Sequence, residues 1–180
     1  MVVLQRAYST CEIIENQRVL KKYNNDPISL ELFDNEVNWY KRFNRIPSVP
    51  SHTPKMFDYS NDTLVLEYVG NPITTDTIPV NFSNQLRKIA SFLKYHNCHH
   101  CDIMPSNLLV LNTIVFIIDF GWAVEMGQNP YLKWKHVDKS IVDNIGGKFR
   151  TFDWPNDKSS LTKIYQKFSG NTYDKLFFHS

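Results

Sequence analysis

The 180-residue sequence contains no apolar run long enough to span a bilayer, and its first residues lack the apolar core of a signal peptide. Its 20 lysines and arginines are scattered rather than gathered into a basic block, and the net charge is only +2. This charge gives no reason to expect nucleic acid or a membrane as a partner. We therefore expect a cytoplasmic, intracellular protein without a membrane span.

Cysteine is also scarce: there are three, an odd number, and two of them lie in the run Cys98-His99-His100-Cys101. This pattern leaves zinc binding or redox chemistry open as an alternative. However, no second pair of ligands follows at the spacing of a zinc finger. The two cysteines are therefore interpreted as packing residues.

The composition is that of a folded protein, with 42% hydrophobic and 14% aromatic residues. A chain of this length allows one domain, or two small lobes that share a core. We find no internal repeats and no low-complexity segments.

The most specific pattern lies between residues 100 and 121. Asp102 and Asn107 are five residues apart on one predicted loop, and Asp119 follows a second apolar strand. A hairpin with a turn near Asn112 is predicted between them, from strands at 108–110 and 114–118. Two aspartates and an asparagine in this order suit phosphoryl transfer, which needs a proton acceptor and ligands for metal ions.

This segment resembles the catalytic core of the protein kinase-like superfamily, in which H-x-D-x-x-x-x-N is followed by D-F-G. The resemblance implies an α+β, two-lobe fold. Residues 1–70 would form a small N-lobe with an antiparallel sheet and one helix, and residues 71–180 a truncated, mostly helical C-lobe. The chain is similar to compact viral and phage kinases and to bacterial envelope-sugar kinases, so a viral protein inside a host cell is one expected setting.

The resemblance also implies roles for individual residues. Asp102 would be the catalytic base, while Asn107 and Asp119 would bind Mg²⁺ or Mn²⁺ and thereby ATP. Lys21 would contact the phosphates, and Glu36 would hold Lys21 in place.

Each of the last two assignments has a weaker competitor nearby. Lys22 is the neighbour of Lys21 on the opposite face of the strand, because strand side chains alternate. Glu31 lies on the same predicted helix as Glu36 but is less central. The remaining predicted strands and helices up to residue 96 follow the order of the superfamily: 2–4, 12–14, 17–23, 29–45, 55–59, 63–68 and 82–96. Two further helices are predicted at 138–145 and 159–168, in a region that resembles no known family.

The segment Glu67-Tyr68-Val69 resembles the kinase hinge, whose backbone groups bind adenine. Other positions depart from the superfamily. The turn at 7–11 has no glycine, although glycine normally lets backbone N–H groups approach phosphates. Cys101 replaces an arginine that pairs with a phosphorylated activation loop, and Met104 replaces a lysine typical of Ser/Thr kinases. Only 59 residues follow Gly121, without an A-P-E motif.

These observations predict an ATP-dependent kinase that transfers the γ-phosphate to a hydroxyl group of a protein Ser/Thr or of a sugar or glycan. The alternative is a pseudokinase that acts as a binding or scaffold module. Trp122, Trp134 and Trp154 are expected in the core, with stacking on a sugar as the lesser alternative. A homo-oligomer is a further possibility, because a small lobe can leave apolar surface to be covered.

Overall fold

The computed structural model describes residues 3–5, 7–15, 17–44, 52–151 and 153–170. The predicted element ends at Val2 and Arg45 lie outside these residues, as does the part of the predicted C-lobe beyond Gly170. Within them, the chain forms the strands β1 (Val3–Gln5), β2 (Ser9–Ile14), β3 (Arg18–Tyr23), β4 (Met56–Ser60), β5 (Thr63–Glu67), β6 (Asn71–Pro72), β7 (Cys98–His99), β8 (Leu108–Leu111), β9 (Ile114–Ile117) and β10 (Val124–Glu125). The α-helices are α1 (Pro27–Asn44), α2 (Phe82–Tyr95), α3 (Lys139–Asn144) and α4 (Asp157–Ser169).

The first half of the chain forms a five-stranded antiparallel sheet in the order β1-β2-β3-β5-β4. Helix α1 packs against it through a stripe of buried apolar side chains at helical spacing, among them Phe33, Val37 and Tyr40. The helix begins two residues earlier than predicted. The carboxylate of Asp26 caps it by accepting the backbone N–H of Ser29 at 2.9 Å.

The predicted hairpin between the two motifs is present as β8 and β9. Its turn consists of Asn112 and Thr113, whose φ angles are both positive (49° and 67°). Two-residue hairpins favour this conformation because it matches the twist of the flanking strands. Strand β6 adds to the other edge of β8 and completes a three-stranded sheet. The loop that carries Asp102 and Asn107 thus leads directly into this sheet.

Helix α2 packs against this second sheet. Its buried face includes Leu86, Ile89 and Leu93 and packs against both β9 and α4. Trp122 and Trp134 are buried in the core, as expected, whereas Trp154 is half-buried. In the described part of the chain, none of the helices combines the length and apolarity needed to cross a bilayer.

Candidate active site

An ion-pair cluster joins the sheet to α1 and to the segment after β9. Lys21 Nζ lies 2.6 Å from Glu36 Oε2 and 2.8 Å from Asp119 Oδ1. Burial opposes the charge of Lys21, but the carboxylates of Asp119 and Glu36 outweigh it and raise the pKa of the ammonium well above its usual value. The structure thus brings together three residues that are far apart in the sequence.

Strand alternation explains which lysine enters this cluster. Lys21 is 4% exposed and points inward from β3, whereas Lys22 on the opposite face is exposed. Glu36 is completely buried, whereas Glu31 lies nearer the surface and accepts the backbone N–H groups of Lys135 and His136. Tyr23, which the sequence did not single out, donates its hydroxyl to Glu36 Oε2.

The Asp119-Phe120-Gly121 segment has a special backbone. Asp119 adopts a left-handed conformation (φ 71°), which costs energy for a non-glycine residue and is typical of functional sites. The next N–H, that of Phe120, donates to Glu36 Oε1 at 3.1 Å. The ring of Phe120 is fully buried against Tyr40, Phe43 and His100. The aspartate is thereby held with its carboxylate toward Lys21.

The loop that carries Asp102 presents an orderly polar arrangement. Asn107 Nδ2 donates to the Asp102 backbone carbonyl at 2.9 Å and to its Oδ2 at 3.0 Å. The backbone N–H of Gly146 donates to Oδ1 at 2.8 Å. Burial raises the pKa of the Asp102 carboxyl, and the charge of Asp119 raises it further. A raised pKa suits a carboxylate that must accept a proton.

A buried aspartate holds this loop from below. Asp157, at the start of α4, accepts the backbone N–H of His100 at 2.8 Å and that of Cys101 at 3.3 Å. The His100 ring contacts the Ile118 carbonyl through Nε2 at 2.9 Å. Asp157 lies 55 residues after Asp102, and no local pattern indicated its role.

A cavity of 310 Å³ opens beside the ion-pair cluster. Lys21, Glu36 and Asp119 are among the residues that line it. The predicted hinge residues Glu67, Tyr68 and Val69 lie in its wall, together with apolar side chains: Ile13, Val19, Leu66, Leu109 and Ile118. Mostly apolar walls with a small number of polar groups are typical of pockets that bind small molecules and cofactors.

Gly70, which follows the predicted hinge segment, occupies a position that requires glycine. Gly70 has φ +96°, and a methyl group placed on it would lie 1.9 Å from the backbone oxygen of Val110. This close approach of two backbones fixes the hinge against β8.

A second cavity, also of 310 Å³, shares Asp119 with the first and is also lined by Asp102. The glycine-free turn between β1 and β2 lines this cavity through Tyr8 and Ser9. The Tyr8 ring meets the edge of Trp122, with 5.6 Å between the ring centroids. Asp119 therefore lies where the two cavities meet, with Asp102 in only one of them.

The residues of the Cys98–Cys101 run do not converge on a metal site. Cys98 and Cys101 are buried thiols whose pKa values are raised by burial. Within the described ranges, no group of three or more His, Cys, Asp or Glu side chains is placed to hold a metal ion.

The fold defined by these features is the protein kinase-like fold. Over 94% of this chain and 55% of the other, it superimposes with a TM-score of 0.62 on the crystal structure of the Rio2 kinase–ADP/Mg²⁺–phosphoaspartate complex from Chaetomium thermophilum. The sequence identity is 15%. The chain thus spans about half the length of that structure, and the predicted fold class is confirmed.

A sequence relative points in the same direction. The chain is 31% identical over 71 residues to a probable serine/threonine-protein kinase BUD32 homolog from Archaeoglobus fulgidus. The matched region covers 39% of this chain and 36% of the relative. No family model matches the chain. Together, the two similarities confirm the resemblance to the protein kinase-like superfamily.

Proposed function

We propose that the protein is an ATP-dependent kinase that transfers the γ-phosphate to a hydroxyl acceptor. One observation carries this proposal: Asp119, paired with Lys21, lies at the junction of a nucleotide-sized cavity and a second cavity lined by Asp102. Phosphoryl transfer needs this arrangement, because donor and acceptor must meet in line at one charged centre. The BUD32 and Rio2 similarities support the same class.

In this proposal, ATP lies in the first cavity with its adenine against the backbone of Glu67, Tyr68 and Val69. The ammonium of Lys21 faces the phosphates, and Glu36 prevents it from turning away. The division of the chain near residue 70, into an N-lobe of 1–70 and a C-lobe of 71–180, belongs to the same proposal.

Asp102 then acts as the base and orienting group for the acceptor hydroxyl. Asn107 and the N–H of Gly146 fix its two carboxylate oxygens, so the carboxylate needs little reorganisation when it accepts a proton. The acceptor enters through the second cavity, past Tyr8 and Trp122.

Asn107 and Asp119 fit the ligand chemistry of Mg²⁺, which takes one or two protein oxygens and completes its shell with water and phosphate. Asn107 turns its amide nitrogen toward Asp102, which fixes the orientation of its amide group. When bound, the metal would neutralise charge on the phosphates.

The acceptor is a Ser/Thr side chain or a sugar hydroxyl. The name of the archaeal relative supports Ser/Thr, whereas the half-buried ring of Tyr8, which lines the same cavity as Asp102, offers a surface on which a sugar ring can stack.

The test is transfer of label from γ-³²P-ATP with Mg²⁺ or Mn²⁺, using a cell extract separated into protein and glycan fractions. Wild type is compared with Asp102→Asn and with Asp76→Asn, an exposed aspartate in the turn before α2. We expect label in one fraction, retained by Asp76→Asn and reduced about 10²- to 10⁴-fold by Asp102→Asn. Equal labelling by all three proteins would refute the role of Asp102.

A pseudokinase is the second candidate. The turn between β1 and β2, which lines the second cavity and contains no glycine, supports it. Nucleotide-induced thermal shifts separate the two functions. A shift with ATP but no label in any fraction favours a binding module, whereas label that depends on Asp102 establishes the enzyme. The presence of Lys21, Glu36 and Asp119 as an assembled cluster favours catalysis, because a scaffold has no chemical need for it.

A further inference from the structure

Lys133 is a half-buried lysine for which the proposed reaction gives no role. It follows a short 3₁₀ turn, Pro130–Leu132, and its ammonium donates to Asn35 Oδ1 at 2.6 Å and to the backbone carbonyl of Ala123. Burial lowers the pKa of Lys133 to about 8. Burying the ammonium of Lys133 costs free energy. The two hydrogen bonds that hold it there therefore need an explanation.

Asn35 makes three further contacts with the segment that follows Asp119. Its amide nitrogen donates to the carbonyls of Phe120 at 3.1 Å, Gly121 at 2.7 Å and Ala123 at 2.9 Å. A side-chain amide can face either way, and only its nitrogen side can bind carbonyl oxygens. A donor on Oδ1 therefore fixes the orientation of the amide, and Lys133 is that donor.

Asn35 and its neighbour Glu36 hold the same segment from two sides. Asn35 binds its carbonyls, and Glu36 binds the N–H of Phe120 while it also pairs with Lys21. A rotation of α1 would break both sets of bonds at once. The contact of Lys133 with Asn35 thus bears on the alignment of Lys21 and Asp119.

The neighbourhood of Lys133 includes the buried thiols of Cys101 and Cys98 and the carboxylates of Glu125 and Glu31. Cys101 stands where the superfamily pattern has an arginine that pairs with a phosphorylated segment. Lys133 supplies a cation to the same region from another part of the chain, and its partners are an amide and a carbonyl rather than a phosphate.

We propose that Lys133 is a positioning residue: through Asn35, it holds α1 against residues 120–123 and so keeps Lys21 and Asp119 aligned. We call this arrangement the Lys133–Asn35 clamp. Its catalytic part rests on the proposed kinase function, whereas its structural part does not.

The test compares Lys133→Met, Asn35→Leu, the double variant and Lys135→Met, an exposed lysine two residues away that serves as the matched control. Hydrogen–deuterium exchange of residues 119–124 is measured without nucleotide, followed by kcat and KM for ATP. We expect exchange to rise about tenfold in Lys133→Met. In the double variant, the rise should be less than the two single effects combined, because Lys133 and Asn35 share one contact although Lys133 also binds the Ala123 carbonyl directly.

In the kinetic measurements, Lys133→Met should lower kcat about tenfold and leave KM for ATP within about twofold, since alignment rather than binding is lost. The melting temperature should not fall, because methionine removes a buried charge while keeping the volume. A merely structural lysine would instead change stability and leave kcat intact.

Unchanged exchange in Lys133→Met, or additive effects in the double variant, would overturn the clamp whether or not the protein transfers phosphate. Raised exchange with an unchanged kcat would overturn its catalytic part. Raised exchange in a protein whose wild type transfers no phosphate would support the structural part of the clamp and refute the proposed function.

Discussion

Glu36 accepts a hydrogen bond from the ammonium of Lys21 at 2.6 Å, in a position where Glu36 is entirely buried. Its other carboxylate oxygen accepts the N–H of Phe120. Glu36→Gln would keep one acceptor and turn an NH₂ group toward either a lysine or a backbone N–H. Breaking a buried pair in this way costs about 3 kcal/mol, so we expect this loss in urea unfolding and at least about tenfold weaker ATP binding by calorimetry.

The control for this prediction is Glu31→Gln on the same helix. Glu31 accepts the backbone N–H groups of Lys135 and His136 near the surface, so ATP binding should stay within about twofold of wild type. Equal losses in the two variants would show that the Lys21–Glu36 pair has no special part in nucleotide binding.

Gly70→Ala should destabilise the protein by more than the strain of its backbone alone. Its positive φ costs about 1 kcal/mol for alanine, and the added methyl group would also collide with Val110. Gly127→Ala is the matched comparison, because Gly127 has φ +86° and nothing within 4 Å of the added carbon. We expect Gly70→Ala to lower the melting temperature at least about 4 °C more than Gly127→Ala does. Similar shifts would mean that the hinge can move away from β8.

Asp157→Asn should weaken the hydrogen bonds that hold the loop carrying Asp102. The carboxylate accepts two backbone N–H groups, those of His100 and Cys101, and an amide can accept through only one atom. A lost hydrogen bond to a buried donor costs about 1–3 kcal/mol, which chemical denaturation measures, and kcat should fall with it. Asp34→Asn, at an exposed position on α1, should change neither quantity. A stable but inactive Asp157→Asn variant would point to a chemical rather than a supporting role.

The lowered pKa of Lys133 predicts that the stability of the protein increases with pH. Its folded pKa of about 8 lies below the usual 10.5, so between these values the unfolded chain binds more protons than the folded one. The free energy of unfolding must then rise with pH across this window. Measured as the difference between wild type and Lys133→Met, which cancels other titrating groups, the gain should appear from about pH 8 to 10.5. If the difference in free energy of unfolding does not change with pH, the Lys133 amine is solvated and its pKa is not lowered.

The sequence predicted the elements around the site because their signals are local. The Asp102–Asn107 spacing, the hairpin turn at Asn112 and the apolar periodicity of α1 each lie within a few residues. The fold class followed from the order of these parts and is confirmed by the structural match. The roles of Lys21, Glu36, Asp102, Asn107 and Asp119 remain predictions, and the variants Asp102→Asn and Glu36→Gln described above test two of them.

The residues that sequence reasoning missed act across long separations. Asn35 and Lys133 are 98 positions apart, and Asp157 binds backbone groups 57 and 56 positions away. In the sequence, each is an ordinary polar residue on a helix or in a loop. Only the packing of α1 and α4 around the catalytic loop gives them partners, and this packing has no short-range signature.

The anchoring of the Asp119-Phe120-Gly121 backbone bears on inhibitor design. Phe120 is buried among three rings, and Asn35 binds the carbonyls of both Phe120 and Gly121. A compound that occupies the space of the Phe120 ring would first have to break these hydrogen bonds and open the aromatic cluster. Compounds confined to the cavity between the hinge and Lys21 meet no such barrier, and screening libraries should be weighted toward them.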